Sequence, residues 1–262
     1  MEFQVRGRSV FATTGGVPFD AGKPTIVFIH GASFDATVWK LCTRYFAWRD
    51  RSVLALDLPG HGRSEGPLLT SIEAMADWIV EALDALGVKE AALVGHSMGS
   101  LVAVDCALRH SERVRTLCLL GTSVPMAVGD VLLDPARDNE HLAKDLLTSW
   151  GYGRSAQYGG NRAPGMWMLQ GGLRVLEHTD DDVLYTDLKA CRDYAGNGEA
   201  LAGIDCPALV VIGGKDMMTP PKMGAKAAAA IPGARSVVLD GVGHIMMDEA
   251  PDETLDALRG IL

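Results

Sequence analysis

The sequence lacks any long uninterrupted apolar run. No stretch of about 18 or more uncharged apolar residues occurs, so we expect no membrane-spanning helix and no membrane partner. Positive charge is also scarce, because 33 acidic residues outnumber 24 basic ones and give a formal net charge of −9. This balance disfavours nucleic acid as a partner. The N-terminal residues alternate in polarity like a strand and lack the apolar centre of a signal peptide, so we expect a cytoplasmic location. We expect a monomer or a homodimer.

Closely spaced cysteines are absent as well. None of the 5 cysteines lies in a CxxC pair, which argues against a disulfide framework and against a zinc knuckle. Several stand inside apolar runs, where a free cysteine behaves as a small buried hydrophobe. Apolar residues make up 48% of the chain, which is ample for a buried core. We therefore expect a folded protein without disulfides or a zinc knuckle. Neither a metal nor an organic cofactor is expected.

Short apolar runs alternate with segments of helical spacing. Runs of this kind are typical of strands buried on both faces, and the alternation predicts an α/β fold with a mostly parallel central sheet flanked by helices. Residues Val38, Leu41, Tyr45, Phe46 and Trp48 form one predicted helix face, after a cap at Asp35. The first two runs predict an antiparallel hairpin at the sheet edge. The predicted strands lie at residues 2–5, 9–14, 25–30, 52–58, 91–95, 116–121, 208–214 and 236–241.

The alternation stops between residues 124 and 205 and then resumes. This stretch contains a helical run at 181–195 and several aromatic residues. We interpret it as a helical cap inserted into the core. The predicted domains are a core formed by residues 1–123 and 206–262, and a cap formed by residues 124–205.

One pentapeptide, GHSMG at residues 95–99, places Ser97 between two glycines, where a strand ends and a helix begins. In that setting a G-x-S-x-G pattern predicts a nucleophile elbow, a strained turn that exposes the serine hydroxyl. The alternative is a plain tight turn with an incidental serine. A serine hydroxyl needs a neighbouring base, and the base needs a third group to orient it.

Two loops after predicted strands supply those partners. Asp216 follows the strand at 208–214, and His244 lies in a glycine-rich loop after the next strand. The carboxyl ends of parallel strands are where ligand sites gather. Asp216 could instead be a turn residue or a helix cap, and Asp205 and Asp240 are rival acids. The other histidines fit the base role less well: His30, His61 and His96 look structural, and His110, His141 and His178 lie on helices or in the cap.

An acyl-transfer enzyme also needs donors for the oxyanion of the tetrahedral intermediate. The N–H of Met98 follows the nucleophile, and the N–H of Ala32 lies in the loop after the strand at 25–30. Ser33 and Phe34 of that loop are weaker donor candidates and are predicted to contact substrate. The cap offers an apolar lining, although these residues could equally form the cap's own core. The predicted lining residues are Trp150, Met166, Trp167 and Met168.

With these residues in place, the sequence resembles the α/β-hydrolase superfamily. The matching motifs occur in order: HGASFD (30–35), DLPGHGRS (57–64), GHSMG (95–99), and GGKDMMTP (213–220) with GVGHIMMDEAP (241–251). The resemblance implies an α/β-hydrolase fold, with Ser97 as nucleophile, Asp216 as acid and His244 as base. Within this superfamily, the sequence looks most like the small bacterial esterases and lactonases. Because the elbow residue is serine, dehalogenase and epoxide-hydrolase activities are not expected.

The predicted reaction is hydrolysis of a small or medium ester or lactone through an acyl-enzyme, with activity falling at acid pH as His244 becomes protonated. Three alternatives remain open. The same triad serves carbon–carbon hydrolysis of a vinylogous diketone, for which Arg154, Arg162 and Arg174 are the cap cations available to a carboxylate. A ligand receptor could retain the fold. Lys215 beside Asp216 slightly favours a lyase.

Overall fold

The structure, a computed structural model, describes residues 1–160, 167–196 and 198–262. Within these residues eight strands form one sheet in the order β1-β2-β4-β3-β5-β6-β7-β8. The central strands β3 and β5 are buried at every position, as expected for apolar runs covered on both faces. The strands are β1 (Glu2–Val5), β2 (Arg8–Thr13), β3 (Thr25–Ile29), β4 (Ser52–Leu56), β5 (Ala91–His96), β6 (Val114–Leu120), β7 (Ala208–Gly213) and β8 (Arg235–Leu239).

The sheet is parallel from β4 to β8, and β1 and β2 form the predicted antiparallel hairpin at one edge. Parallel strands end at the same side of a sheet, so the loops after β3, β5, β7 and β8 meet there. The predicted fold class, a mostly parallel central sheet flanked by helices, is therefore confirmed.

Helices cover both faces of the sheet. Their bounds are α1 (Lys40–Ala47), α2 (Ile72–Ala85), α3 (Met98–Arg109), α4 (Asp130–Arg137), α5 (His141–Gly151), α6 (Arg154–Gln157), α7 (Met168–Glu177), α8 (Val183–Asp193), α9 (Pro221–Ala230), α10 (Met246–Glu249) and α11 (Pro251–Arg259). None of the described helices is both long enough and apolar enough to cross a bilayer. All five cysteines are free thiols.

The predicted face of the first helix is partly wrong. Asp35 does cap this region, since its side chain accepts a hydrogen bond from the Thr37 N–H. However, Leu41 is 50% exposed and Trp48 is 65% exposed. The chain makes a 3-10 turn over Ala36–Trp39 before α1 begins, which changes the angular spacing. Val38 and Phe46 are buried as predicted, and Trp39 and Cys42 are buried beside them in place of Leu41 and Trp48.

Helices α4 to α8 occupy the stretch between β6 and β7 in which the strand pattern stops. We call residues 124–205 the insert. Helix α4 packs on α5 and α8, and α8 also contacts α3, the helix that follows Ser97. The buried hydroxyl of Tyr194, a residue of the insert, donates a hydrogen bond to Asp105 of α3 over 3.1 Å and so connects the insert to the core. The assignment of the insert as a separate cap domain stays a prediction.

Candidate active site

Ser97 stands at the bend between β5 and α3. Its backbone has φ 51° and ψ −119°, a left-handed conformation that residues with a side chain rarely adopt. Residues on both sides of it are buried, whereas Ser97 itself is partly exposed. The Ser97 N–H donates to the Leu120 carbonyl at 2.9 Å, which fastens the bend to the neighbouring strand. The bend therefore presents the hydroxyl at the carboxyl edge of the sheet.

The two glycines of the pentapeptide make this bend possible. A side-chain carbon at Gly95 would collide with the carbonyl oxygen of Gly99. One at Gly99 would collide with the carbonyl oxygen of Ile29, at the end of β3. Both positions thus require close approach of backbone to backbone, for which glycine is the fitting residue.

Asp216 and His244 form a buried pair at the same edge. The Nδ1–H of His244 donates to Oδ2 of Asp216 at 2.8 Å. Burial acts to raise the pKa of Asp216, but His244 and the hydrogen bonds from Thr219 outweigh it and lower that pKa. Asp216 is therefore a carboxylate at neutral pH. Because the carboxylate accepts the hydrogen bond from Nδ1–H, the neutral ring leaves Nε2 as its basic nitrogen.

His96 links this pair to the bend. Its Nε2–H donates to the His244 carbonyl at 3.0 Å, and the centroids of the two rings are 4.7 Å apart. Burial, followed by the proximity of His244, lowers the pKa of His96 to about 3, so this ring is neutral. Gly121 packs directly on the His244 ring, since a side-chain carbon there would meet the ring at 2.9 Å. These contacts place His244 beside the residues that flank Ser97.

No hydrogen bond joins the Ser97 hydroxyl to the His244 ring within the described part of the chain. Bonds of this kind are commonly long before substrate binds and tighten in the complex. The structure therefore brings the three predicted residues to one edge, with the Asp216–His244 contact already formed.

The two predicted oxyanion donors lie on either side of the bend. Met98 is the first residue of α3, where N–H groups have no partner within the helix. The Ala32 N–H has no hydrogen-bond partner among the described residues. Gly31 brings this loop against the bend, because a side-chain carbon there would meet Cβ of Ser97 at 3.2 Å. Both N–H groups are thus available to a negatively charged oxygen near Ser97.

A cavity of about 130 Å³ opens beside Ser97. Of the predicted site residues, Ala32 and Trp150 line it with Ser97. Several apolar lining residues were not predicted, among them the exposed Met217 and the half-buried Met218 directly after Asp216. The run MM in GGKDMMTP was the available signal, since a loop that carries the acid at a sheet edge also borders the site. The other lining residues are Met126, Ala127, Val128, Gly129, Leu132, Leu188, Cys191 and Thr219.

The remaining predicted contact residues lie elsewhere. Ser33 is fully buried, and its N–H and hydroxyl form hydrogen bonds with Asp187 and Thr179 of the insert. This arrangement disagrees with the prediction that Ser33 contacts substrate. Phe34, Trp167 and Met168 line a second, separate cavity of about 340 Å³ between the insert and the start of α1. Their apolar character fits either cavity, so composition alone could not distinguish them. Met166 lies outside the described residues.

Glu249 was not predicted, yet it ties the His244 loop to the insert. Its carboxylate accepts hydrogen bonds from Gly153 N–H at 2.9 Å and from Gly243 N–H at 3.1 Å. The N–H of His244 donates in turn to the Gly151 carbonyl at 2.7 Å. Burial raises the pKa of Glu249 to about 7, against the effect of the two backbone donors, which favour its charged form. The position of His244 therefore depends on the insert.

Comparison with known proteins agrees with this geometry. The sequence profile of the "Alpha/beta hydrolase family" matches residues 26–257, nearly the whole chain. The chain belongs to the alpha/beta hydrolase family.

Its relatives carry several activities. It is 31% identical to a 2-hydroxy-6-oxononadienedioate/2-hydroxy-6-oxononatrienedioate hydrolase from Paraburkholderia phymatum, covering 86% of this chain and 82% of that one. It is 31% identical to a pimeloyl-[acyl-carrier protein] methyl ester esterase from Neisseria meningitidis, over 73% of this chain and 75% of that one. A third relative, at 30% identity over 92% of this chain, is the dihydrolipoyllysine-residue acetyltransferase component of an acetoin cleaving system from Cupriavidus necator, of whose length the chain spans 63%.

Among solved structures, the enol-lactonase from Burkholderia xenovorans LB400 superposes with a TM-score of 0.87. The two chains are 25% identical, and the match covers 99% of this chain and 98% of the lactonase. The family is thus one of hydrolases, in which this chain resembles esterases and lactonases.

The raised pKa of Glu249 predicts a pH-dependent stability. The unfolded carboxyl, with an ordinary pKa of 4.5, loses its proton before the folded one, whose pKa is about 7. The contribution of Glu249 to the free energy of unfolding therefore falls as pH rises between these values. Glu249→Gln removes this titration while its amide oxygen can still accept the backbone bonds, so the change in the free energy of unfolding from pH 5 to pH 8 is expected to be more favourable in the variant than in the wild type.

Urea denaturation at pH 5 and pH 8 measures the effect. Glu112→Gln, at an exposed position, is the matched control and is expected to follow the wild type. An identical pH dependence in Glu249→Gln and wild type would show that Glu249 does not titrate in this window.

Proposed function

We propose that this chain is a serine hydrolase that cleaves carboxylic esters or lactones of small to medium size, through Ser97, His244 and Asp216. The observation that carries the proposal is the left-handed, partly exposed Ser97 beside a cavity and next to the buried His244–Asp216 pair. The esterase and the enol-lactonase among the similar proteins support the same reaction class.

In this mechanism His244 Nε2 removes the hydroxyl proton of Ser97, and Oγ attacks the carbonyl carbon of the substrate. The N–H groups of Ala32 and Met98 stabilise the oxyanion. His244 then gives its proton to the leaving alkoxide as the carbon–oxygen bond breaks. A water molecule, deprotonated by His244, then attacks the acyl-enzyme carbonyl, and His244 returns this proton to Ser97 Oγ as the acyl carbon–Oγ bond breaks and the acid is released. Asp216 holds the Nδ1–H tautomer and stabilises the imidazolium in both steps.

The cavity lining supports a small, uncharged acyl group. Its volume of about 130 Å³ leaves room for a small acyl group. Met126, Trp150 and Met218 give it apolar walls, and the residues described around it include no lysine or arginine. A carboxylate on the acyl chain would lose its hydration there without gaining a cation. We assign the insert the role of a cap that sets this preference.

A second candidate is hydrolysis of a carbon–carbon bond, which the same triad can perform. The relative from Paraburkholderia phymatum favours it, since its name specifies a dienedioate or trienedioate, a dicarboxylate. The uncharged lining of the cavity beside Ser97 favours the ester or lactone instead.

Ser97→Ala tests the nucleophile. We expect the wild type to turn over p-nitrophenyl acetate or butyrate many times and Ser97→Ala to lose at least about a thousandfold in kcat, because no other group can form the acyl-enzyme. Ser236→Ala, an exposed serine on β8, is the matched control and should keep wild-type activity. Multiple turnovers by Ser97→Ala, or a single stoichiometric burst by the wild type, would contradict the proposal; the burst would favour a receptor.

A pair of substrates of nearly equal size tests the acyl preference. We expect p-nitrophenyl butyrate to have a kcat/KM at least about tenfold above that of mono-p-nitrophenyl succinate, because only the second brings a carboxylate into the apolar cavity. Steady-state kinetics at several salt concentrations supplies both values. Faster cleavage of the succinate, or of a dienedioate carbon–carbon substrate, would overturn the preference and favour the second candidate.

A further inference from the structure

A buried carboxylate of the insert contacts the loop that carries one oxyanion donor. Asp187 of α8 is 0% exposed. Its Oδ2 accepts a hydrogen bond from the Ser33 N–H at 2.8 Å and lies 2.8 Å from Nε2 of His61. Ser33 directly follows Ala32. The mechanism above gives Asp187 no role, although a fully buried carboxylate must be paired to persist.

His61 is the partner of this carboxylate: its Nε2 faces Asp187, and its Nδ1 lies 3.2 Å from the Pro59 carbonyl oxygen. Burial alone would lower the pKa of His61, but the charge of Asp187 and the hydrogen bond to it outweigh burial and raise that pKa. Replacing such a buried pair with apolar residues is often neutral or stabilising, so the pair is weak evidence for a stabilising role. The geometry of the pair is more informative, because the contact between Asp187 and His61 holds α8 against the core.

The loop itself is strained at Ser33 and is held there from the insert. Ser33 has φ 59°, in the left-handed region. Besides its N–H bond to Asp187, its hydroxyl lies 2.9 Å from Oγ1 of Thr179. The Thr179 hydroxyl donates to the Leu176 carbonyl, so the Ser33 hydroxyl is the donor to Thr179. Two hydrogen bonds to the insert therefore hold Ser33, the residue after Ala32, in a backbone conformation that is unfavourable for a residue with a side chain.

The residue before Ala32 is held by the same cluster. The Leu58 N–H donates to Nε2 of His30, so the proton of this neutral ring is on Nδ1, which donates to the Gly31 carbonyl at 2.9 Å. This bond fixes the peptide plane that contains the Ala32 N–H. The ring centroids of His30 and of His61, the partner of Asp187, are 4.9 Å apart. Contacts that begin at Asp187 thus reach both sides of Ala32.

We propose that Asp187 is a positioning residue, which aims the Ala32 N–H at the oxyanion through Ser33 on one side and through His61 and His30 on the other. This inference rests on the proposed function. Loss of an oxyanion donor lowers kcat by about a hundred- to a thousandfold. A misaimed donor should lower it less, by roughly ten- to a hundredfold, with little change in KM.

The carboxylate offers a sharp pair of variants. Both of its hydrogen bonds use Oδ2, and Oδ1 has no hydrogen-bond partner among the described residues. Asparagine can therefore keep both bonds with its oxygen at the Oδ2 position. Asp187→Asn should retain kcat within about threefold, whereas Asp187→Ala should lose roughly ten- to a hundredfold in kcat with KM within about twofold.

The experiment measures kcat and KM for p-nitrophenyl butyrate per active site, counted by titration with a phosphonate that labels Ser97. Tyr194→Phe is the control, since it deletes another buried hydrogen bond between insert and core, to Asp105 at 3.1 Å. It should lower Tm and leave kcat unchanged. Wild-type kcat per site in Asp187→Ala, or equal losses in the alanine and asparagine variants, would overturn the proposal.

If Asp187→Ala does not fold, Thr179→Val replaces it. That variant removes the second anchor of Ser33 at a partly exposed position and should lower kcat about two- to tenfold with KM unchanged. Unchanged kcat would then contradict the proposal. Turnover that survives Ser97→Ala would refute the proposed function itself. Turnover abolished by Ser97→Ala but kept per site in Asp187→Ala would refute this inference alone.

Discussion

The left-handed backbone of Ser97 is the constraint on which the site depends. Residues held in this conformation are destabilised by roughly 1–3 kcal/mol and persist only where their surroundings enforce it. Here the enforcement comes from the sheet: Gly99 lies against the backbone at the end of β3, and the Ser97 N–H is bonded to β6. The rigid centre of the sheet therefore sets the position of the hydroxyl, and the other groups must be brought to it.

The insert contributes to that convergence from two directions. On one side, the Gly151 carbonyl of the insert accepts the His244 N–H, and the Glu249 carboxylate of the core connects Gly153 of the insert to Gly243 of the His244 loop. On the other side, Asp187 and Thr179 hold the loop of Ala32. The insert thus contacts both the candidate base and a candidate oxyanion donor. Substitutions in it can change the chemistry of the site as well as the choice of substrate.

Much of this architecture could be predicted from the sequence, because the relevant signals are local. Apolar runs marked strands β3 to β7, which are buried at nearly every position, and the glycines around Ser97 marked the bend. For Asp216 the sequence left a turn residue and a catalytic acid as alternatives, and the structure is compatible with both. Its Oδ1 accepts from the Met218 and Thr219 N–H groups, while Oδ2 faces His244.

The residues that were missed depend on contacts between distant segments. Asp187 meets Ser33 across 154 residues of sequence, and no local pattern reveals such a pairing. The same limit explains why Trp167 and Met168 were expected at the substrate site but line a second cavity instead. Apolar composition identifies a lining, whereas the packing of the insert decides which cavity is lined.

The central claim is that Ser97 is a nucleophile activated by His244. It is tested most directly by the rate and position of labelling with an organophosphonate, followed by mass spectrometry of the intact chain and its peptides. The account predicts one adduct per chain, on the peptide that contains Ser97, and a labelling rate at least about a hundredfold lower in His244→Ala. An adduct on a different residue, or an unchanged rate in that variant, would contradict it.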